Sequence, residues 1–205
     1  PALMTEVVRR LRLNETYTVR KGLKNVDLYK ANPVAVTFGE VMEKPVSFTI
    51  RIDSKDAFTI SGLKVAGVES ENSFAGRMGD SIQTAAGTLF ISPTKFYSDA
   101  CIGTSIRYAI GKADGAADRY LHALRVELGS KEATIINLSI NDTSIARAED
   151  ILNTLIEVYN EKWIQDKNQI AVSTSQFIGD RLSVIESELG HVDENISSFK
   201  SEHLL

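Results

Sequence analysis

The residues of this chain that could take part in chemistry are few and lie far apart in the sequence. The three histidines, His122, His191 and His203, lack the close spacing of metal ligands, so we expect no metal site. The single cysteine, Cys101, cannot form an internal disulfide and lies in a segment rich in Ser, Thr and Gly. This setting favours a structural or incidental thiol over a catalytic nucleophile.

The sequence also lacks the common motifs for phosphate binding and acyl transfer. The segment from Gly103 to Lys112 has the wrong spacing for a Walker A loop and no Ser or Thr after the lysine, so we interpret it as a loop. No dinucleotide fingerprint and no nucleophile elbow occur. Carboxylates are plentiful, but a sequence does not show two of them facing one cleft. We therefore expect no catalytic residues, no cofactor and no enzymatic activity in this stretch of chain.

The charge of the chain is unevenly distributed. Residues 143–205 carry five Lys and Arg against eleven Asp and Glu, whereas residues 1–142 carry eighteen against sixteen. The acidic stretch argues against nucleic acid as a partner, because nucleic-acid binding selects basic faces. The same charges also fit an ordinary solvated helix surface.

Apolar spacing and turn residues predict the elements that precede this acidic stretch. Helical spacing predicts helices over residues 1–13 and 113–123. The mixed residues 17–32 are expected to contain a second, short helix that ends before Asn32-Pro33. Strand-forming residues predict an antiparallel meander over 34–38, 46–52 and 57–63, with further strands at 88–92 and 105–110. Residues 64–87, interrupted by glycines, are expected to form loops and one short strand. Residues 124–128 and 133–140 are expected to form a hairpin around Gly129-Ser130-Lys131.

The last third of the chain predicts one long helix. From residue 143 onwards there is no proline and only two glycines, and the residues from Asn141 to Ser144 offer capping oxygens. A helix of some sixty residues would be about 90 Å long. Its first apolar run is expected on one face, at Ile145, Ala148, Leu152, Leu155 and Tyr159, and the rhythm then slips in phase between residues 163 and 174. We therefore expect two packing environments along the helix.

The distal part of this helix carries a heptad pattern, which is typical of a helix that packs along another helix. Six apolar residues follow each other at spacings of 3, 4, 3, 4 and 3. These residues, called the seam below, are Leu182, Ile185, Leu189, Val192, Ile196 and Phe199. They are the candidate assembly residues of the chain.

Together the patterns predict an α+β fold in two parts. A mixed base domain with antiparallel strands is expected over residues 1–141, followed by a long, coiled-coil-like helical arm over residues 142–205. No run of about 18 consecutive apolar residues, the length of a membrane-spanning helix, occurs. The chain begins without a methionine and stops while the heptad pattern still runs, so we expect a piece of a longer protein.

The junction between base and arm resembles the polysaccharide co-polymerases, the Wzz/Wzc-type chain-length determinants. The resemblance covers most of the chain and is strongest over residues 133–205; it is a pattern of packing residues. A strand and turn over 134–142 lead into a long helix, and the helix at residues 7–13 is similar to the helix that follows the family's first periplasmic strand. The matching helix residues are Ala148, Ile151, Asn153, Leu155, Tyr159, Asp166, Lys167, Phe177, Ile178, Arg181, Leu182, Glu188, Leu189, Phe199, Lys200 and Glu202.

This resemblance implies a periplasmic domain held between two helices of the bacterial inner membrane. Its membrane-proximal base and helical extension would form homo-oligomeric rings that control the length or export of lipopolysaccharide O-antigen, capsular polysaccharide or exopolysaccharide. The implied partners are other copies of the chain, a membrane polysaccharide polymerase or export machinery, and the glycan itself. The seam would pack against a returning helix of the extension.

The chain departs from the family pattern in several respects. It contains neither membrane helix, nor the proline-rich segment near the second one, nor a kinase motif, although many family members carry a cytoplasmic tyrosine autokinase domain. The Gly-rich segment 65–111 would be an elaboration of the base. Two other interpretations stay open: a periplasmic adaptor of an efflux or secretion system, which also combines β-rich domains with long helices, and an enzyme with a coiled-coil oligomerisation arm.

Overall fold

The structure of the chain is a computed structural model that describes residues 1–42, 44–129 and 135–203. The helices in these ranges are α1 (Ala2–Leu11), α2 (Ala113–Ala123) and α3 (Ile145–His203), with a 3₁₀ turn at Asp99–Cys101. The strands are β1 (Glu15–Lys21), β2 (Lys24–Asp27), β3 (Val34–Phe38), β4 (Val46–Ile52), β5 (Ala57–Val65), β6 (Val68–Glu69), β7 (Phe74–Arg77), β8 (Ser81–Thr84), β9 (Gly87–Pro93), β10 (Ser105–Ile110), β11 (Leu124–Leu128) and β12 (Ile136–Ile140). Antiparallel sheets followed by one long helix confirm the predicted α+β fold class.

The main sheet has the strand order β2-β1-β10-β4-β5-β6, with β7 also paired to β5. Its central strands alternate between buried and more exposed residues, as a half-buried sheet requires. In β4, for example, Val46, Phe48, Ile50 and Ile52 are buried. Tyr108 of β10 lies opposite Phe48, with ring centroids 5.1 Å apart. These residues form the centre of the hydrophobic core.

The predicted meander is wrong for its first strand. β4 and β5 pair antiparallel as expected, but β3 belongs to a second sheet of order β3-β9-β8. The alternating strand β10 takes the place beside β4 instead. The buried residues of β3 and β9 join the same core as those of the main sheet, so the small sheet packs on one face of the large one. Sequence distance hid this pairing, because β3 and β9 are separated by about fifty residues.

The helix predicted over residues 17–32 is also wrong, since this segment forms the β1–β2 hairpin. The β-branched and aromatic residues of β1, which alternate across its two faces, favour a strand. Val19 is buried and lies opposite Ile106 of β10. Gly22, with φ of 62°, occupies the first position of the two-residue turn, where a type II′ turn requires glycine. Residues 64–87 contain β6, β7 and β8, more strands than the single one predicted.

The remaining elements of the first part match their predictions closely. α1 buries Met4, Val7 and Val8, and it packs against α2. β11 and β12 form the predicted antiparallel hairpin, whereas its predicted turn at 130–131 and the residues up to 134 lie outside the described residues.

The predicted cap starts the long helix. Ser144 is the N-cap of α3, and its Oγ accepts a hydrogen bond from the backbone N–H of Arg147 at 3.3 Å. Asp142 in turn accepts from the N–H of Ser144 at 2.8 Å. Within the first turns the predicted face is displaced by one position, because Ile151 and Thr154 are buried whereas Ile145 is 79% exposed.

The chain divides into two compact units, Pro1–Ile156 and Glu157–Leu205. The first contains both β-sheets, the β11–β12 hairpin, α1, α2 and the first turns of α3. The second consists of the rest of α3, up to His203 within the described residues. The predicted boundary between residues 141 and 142 lies just before α3 begins. The division of the chain into a base domain and an arm at this point stays a prediction.

Candidate functional site

The six seam residues all lie on α3, and all are large apolar side chains with substantial exposure. The most buried of them, Ile185, is 40% exposed, and the most exposed, Phe199, is 61% exposed. Their spacing of three and four residues brings them onto one face of the helix. The second unit therefore presents an apolar helix face, and its packing on another helix stays a prediction.

The exposed apolar surface of this unit extends beyond the seam. A column at intervals of seven residues runs through Ile164, Ala171, Ile178, Ile185, Val192 and Phe199. A second column consists of Trp163, Ile170, Phe177 and Val184, all of which are exposed. The two columns lie about 100° apart around the helix, with Lys167, Thr174 and Arg181 between them. Upstream of the seam the helix therefore carries two separate apolar columns, in the region where the sequence pattern slips in phase.

Charged residues border the seam. Glu186 and Glu188 are exposed and occupy the heptad positions that flank the apolar core positions of a coiled coil. Arg181 directly precedes Leu182, the first seam residue. A partner helix that carries basic flanking residues beside Glu186 and Glu188 would match this face.

The residues considered for chemistry remain separate in the structure. The Nδ1–H of His122 donates to the carbonyl of Asp118 at 2.7 Å, in the tautomer that this contact requires. The thiol of Cys101 lies 3.8 Å from the Ser98 hydroxyl. In the part of the chain that the structure describes, no group of three or more His, Cys, Asp or Glu side chains could hold a metal ion. No helix among these residues is both long and apolar enough to cross a membrane.

The first unit contains a cluster of ion pairs that sequence reasoning missed. We call it the anchor cluster; its members are Asp27, Tyr29, Lys30, Asp142, Arg147 and Asp150. The guanidinium of Arg147 donates to Asp142, with Nη2 2.7 Å from Oδ1, and also to Asp27 at the end of β2. The side chain of Arg147 is only 11% exposed. One arginine therefore ties the N-terminus of α3 to the β1–β2 hairpin.

A second pair of contacts completes this cluster. The hydroxyl of Tyr29 donates to Oδ2 of Asp150 at 2.8 Å, and the ammonium of Lys30 donates to the same oxygen at 2.6 Å. The guanidinium of Arg147 also lies 5.6 Å from the ring centroid of Tyr29. These members are separated by about 120 residues in sequence, so local pattern analysis has no signal for them.

The electrostatics of the cluster favour its charged form. Burial alone would raise the pKa of Asp142, but hydrogen bonds from Arg147 and from the Ser144 backbone hold it below its ordinary value. Burial likewise opposes the charge of Arg147, yet Asp142 and Asp27 raise its pKa. The hydrogen bond from Lys30 is the largest influence that lowers the pKa of Asp150. The cluster thus contains three carboxylates and two cations, and each of them pairs with a group of opposite charge.

A small cleft adjoins the anchor cluster on the side of the hairpin. We call it the hairpin cleft; its volume is about 190 Å³, and its walls come from the end of α1, from β1 and from residues 27–35. Arg12 donates to one oxygen of Glu15 through Nε at 2.9 Å and Nη2 at 2.6 Å. The hydroxyl of Tyr17 accepts the backbone N–H of Val36 at 2.9 Å. The cleft therefore combines aromatic rings with paired charges.

Buried groups beside the cleft have shifted pKa values. Burial raises the pKa of Glu15, and the hydrogen bonds from Arg12 offset this only in part. Burial also raises the pKa of Tyr17 to about 12. Tyr108 is fully buried behind Tyr17, with ring centroids 5.0 Å apart. Burial raises the pKa of its hydroxyl, and so does its contact with Glu15.

Comparison with known proteins assigns no family to these surfaces. No protein-family model matches the chain, and no curated protein matches its sequence.

Proposed function

We propose that this chain is the periplasmic assembly region of an inner-membrane polysaccharide co-polymerase. In this role it controls the chain length or export of O-antigen, capsular polysaccharide or exopolysaccharide by geometry, without making or breaking a bond. The observation that carries the proposal is α3, whose 59 residues begin at a capped, anchored N-terminus and bear an exposed apolar face. A helix of this kind gains most of its stability from packing on other helices.

The fold of the first unit supports an assembly role over an enzymatic one. Its largest buried groups are apolar side chains, which build a core shared by two sheets. The mostly buried Arg147 pairs with Asp142 and Asp27 at the start of α3, and these contacts connect the helix to the β1–β2 hairpin. We propose that the unit works as a rigid base and that its partners are further copies of the chain, arranged as a ring beside a membrane polymerase or export complex.

The order of elements favours the co-polymerase over the adaptor. In an adaptor the helical hairpin is expected within a lipoyl-like β unit. Here α1 opens the first unit, and the β11–β12 hairpin leads directly into α3 through the Ser144 cap. This order agrees with the base-and-extension plan that the residue pattern suggested.

The test is the surface polysaccharide of cells from which the gene has been deleted. We expect the length distribution of O-antigen or capsule, separated on a gel, to change on deletion and to return with a plasmid copy of the whole gene. A second plasmid that carries Leu189→Asp should fail to restore it. An unaltered ladder and capsule on deletion would remove the proposal and favour the adaptor.

A further inference from the structure

The hairpin cleft has the size and the lining of a binding site for one small, neutral, polar ring. Its volume of about 190 Å³ lies below the roughly 300–1,000 Å³ of sites for drug-sized ligands. Tyr17 and Tyr29 contribute aromatic rings, and Arg12, Glu15 and Lys30 contribute polar groups. Such a mixture of aromatic surface and a few fixed polar groups is typical of ligand sites.

The charges around the cleft cancel in pairs. Glu15 accepts from Arg12, Asp27 accepts from Arg147, and Lys30 donates to Asp150. A free anion or cation would have to compete with a partner that is already in place. A neutral ligand rich in hydroxyl groups can instead use the remaining donor and acceptor capacity of these side chains.

The hydroxyl group of Tyr17 is available for such a ligand. Its oxygen accepts from the backbone N–H of Val36, which leaves its O–H proton to donate. Tyr108 lies fully buried behind Tyr17 and is not part of the cleft lining.

The backbone conformation beside the cleft gives a further observation. Three non-glycine residues of the described chain have positive φ, and two of them, Arg12 at 53° and Lys30 at 55°, line the cleft. Glycine would adopt this conformation without strain. At Arg12 this conformation ends α1, as is common at the C-terminus of a helix. At Lys30 the strain of a long cationic side chain is consistent with a functional use of that side chain.

We propose that the hairpin cleft binds a single neutral pyranose ring of a polysaccharide. This inference rests on the proposed function for the choice of a sugar among neutral polyhydroxylated ligands. The rings of Tyr17 and Tyr29 contact the apolar face of the sugar, while the polar groups of Arg12, Glu15 and Lys30 bind its hydroxyls. The cleft would give the assembly a direct contact with the glycan whose length it controls.

The experiment uses the whole chain and ligand-detected NMR. The probes are the methyl pyranosides of glucose, galactose and mannose, with glucuronate and inorganic phosphate as charged probes. We expect saturation transfer to at least one neutral pyranoside, with a dissociation constant of about 1 mM, which corresponds to about −4 kcal/mol. No transfer to any of the three, or stronger binding of a charged probe, would overturn the proposal.

Two variants and a matched control locate the binding. Ala35→Leu fills the cleft, and Lys30→Gly removes a lining side chain at a position where glycine suits the backbone. We expect Lys30→Gly to weaken sugar binding about tenfold through the loss of one hydrogen bond to a charged group, and Ala35→Leu to weaken it at least about tenfold by occupying the space of the ring. Ala66→Gly, at the third positive-φ residue and outside the cleft lining, should leave binding unchanged.

These outcomes separate the cleft from the proposed function. Binding that survives both Lys30→Gly and Ala35→Leu, with both variants folded by circular dichroism, would refute the cleft as the sugar site. The polysaccharide gel of the deletion strain does not depend on this cleft, so an altered ladder together with absent sugar binding would remove only the inference.

Discussion

At the scale of single residues, the contact between Arg147 and Asp142 contributes more to stability than any surface ion pair of the first unit. The side chain of Asp142 is 5% exposed and that of Arg147 is 11% exposed. Removal of one partner leaves the other charge buried without its hydrogen bonds. Pairs such as Lys64 and Glu69, with 44% and 56% exposed side chains, are screened by water.

We therefore predict that Asp142→Asn lowers the free energy of unfolding by about 1–3 kcal/mol at pH 7. Because the folded-state pKa of Asp142 is lowered, its stabilising effect is present above its unfolded-state pKa of about 3.9 and is lost as the pH falls through the folded-state value. The variant should accordingly show a smaller loss of stability between pH 5 and about 3. Urea denaturation at a series of pH values measures both effects.

Glu69→Gln serves as the control for this experiment, since it breaks an exposed ion pair in the same unit. We expect a change within about 0.5 kcal/mol. Equal stability of Asp142→Asn and the natural chain at pH 7 would mean that the anchor cluster does not fix the start of α3.

A second residue-scale prediction concerns Gly76 in β7. A Cβ atom at this position would overlap the Ile82 side chain and lie 3.0 Å from Cζ of Phe58, which is 1% exposed. We expect Gly76→Ala to destabilise the chain by about 1–3 kcal/mol through overpacking. Gly115→Ala in α2, where nothing lies within 4 Å, should stabilise it by about 0.5–1 kcal/mol. Thermal melts in which the melting temperature of both variants shifts in the same direction would contradict this prediction.

At the scale of elements, the sequence predicted those whose pattern is local. Alternating apolar residues predicted β4 and β10. Capping residues predicted the start of α3, and helical spacing predicted α1 and α2. The β1–β2 hairpin was missed because its polar strand β2 has no alternating apolar face and because the turn signal of Gly22 was not used. The pairing of β3 with β9 depends on contacts distant in sequence, for which a single chain gives no local signal.

The candidate sites follow the same division between local and distant contacts. The seam could be predicted, since it is a repeat along one helix. The anchor cluster and the hairpin cleft could not be predicted in this way. Arg147 and Asp27 are 120 residues apart in the sequence, and the contacting rings of Tyr17 and Tyr108 belong to different strands.

The element-scale prediction concerns the seam itself. Leu189→Asp places a charge in the middle of six apolar residues, where packing on another helix would have to bury it. We expect a lower helix content by circular dichroism and a lower average mass by analytical ultracentrifugation at high protein concentration. Ser187→Asp, which adds the same charge at an exposed position outside the seam, should leave both unchanged. Unchanged helicity and association in Leu189→Asp would mean that the seam is not a packing surface.

At the scale of the whole molecule, the proposed function requires contacts between identical copies around a ring. Such contacts are heterologous, because one side of the first unit meets the opposite side of its neighbour. Exposed charges on α2 and β11 are candidates for this contact. Arg119 is exposed on α2, where its guanidinium lies 5.2 Å from the ring centroid of Tyr120, and Arg125 is exposed on β11.

We predict that the double variant Arg119→Glu and Arg125→Glu keeps the fold and changes the length distribution of the glycan in cells. Exposed substitutions change stability little, whereas like charges brought together at a contact between copies cost affinity. The measurement is the polysaccharide ladder of a deletion strain that carries the variant gene, beside circular dichroism of the purified chain. A restored natural ladder would exclude these two arginines from the ring contact. A changed ladder with an intact fold would assign the contact to the face formed by α2 and β11, since the only alteration is the sign of charge at two exposed positions.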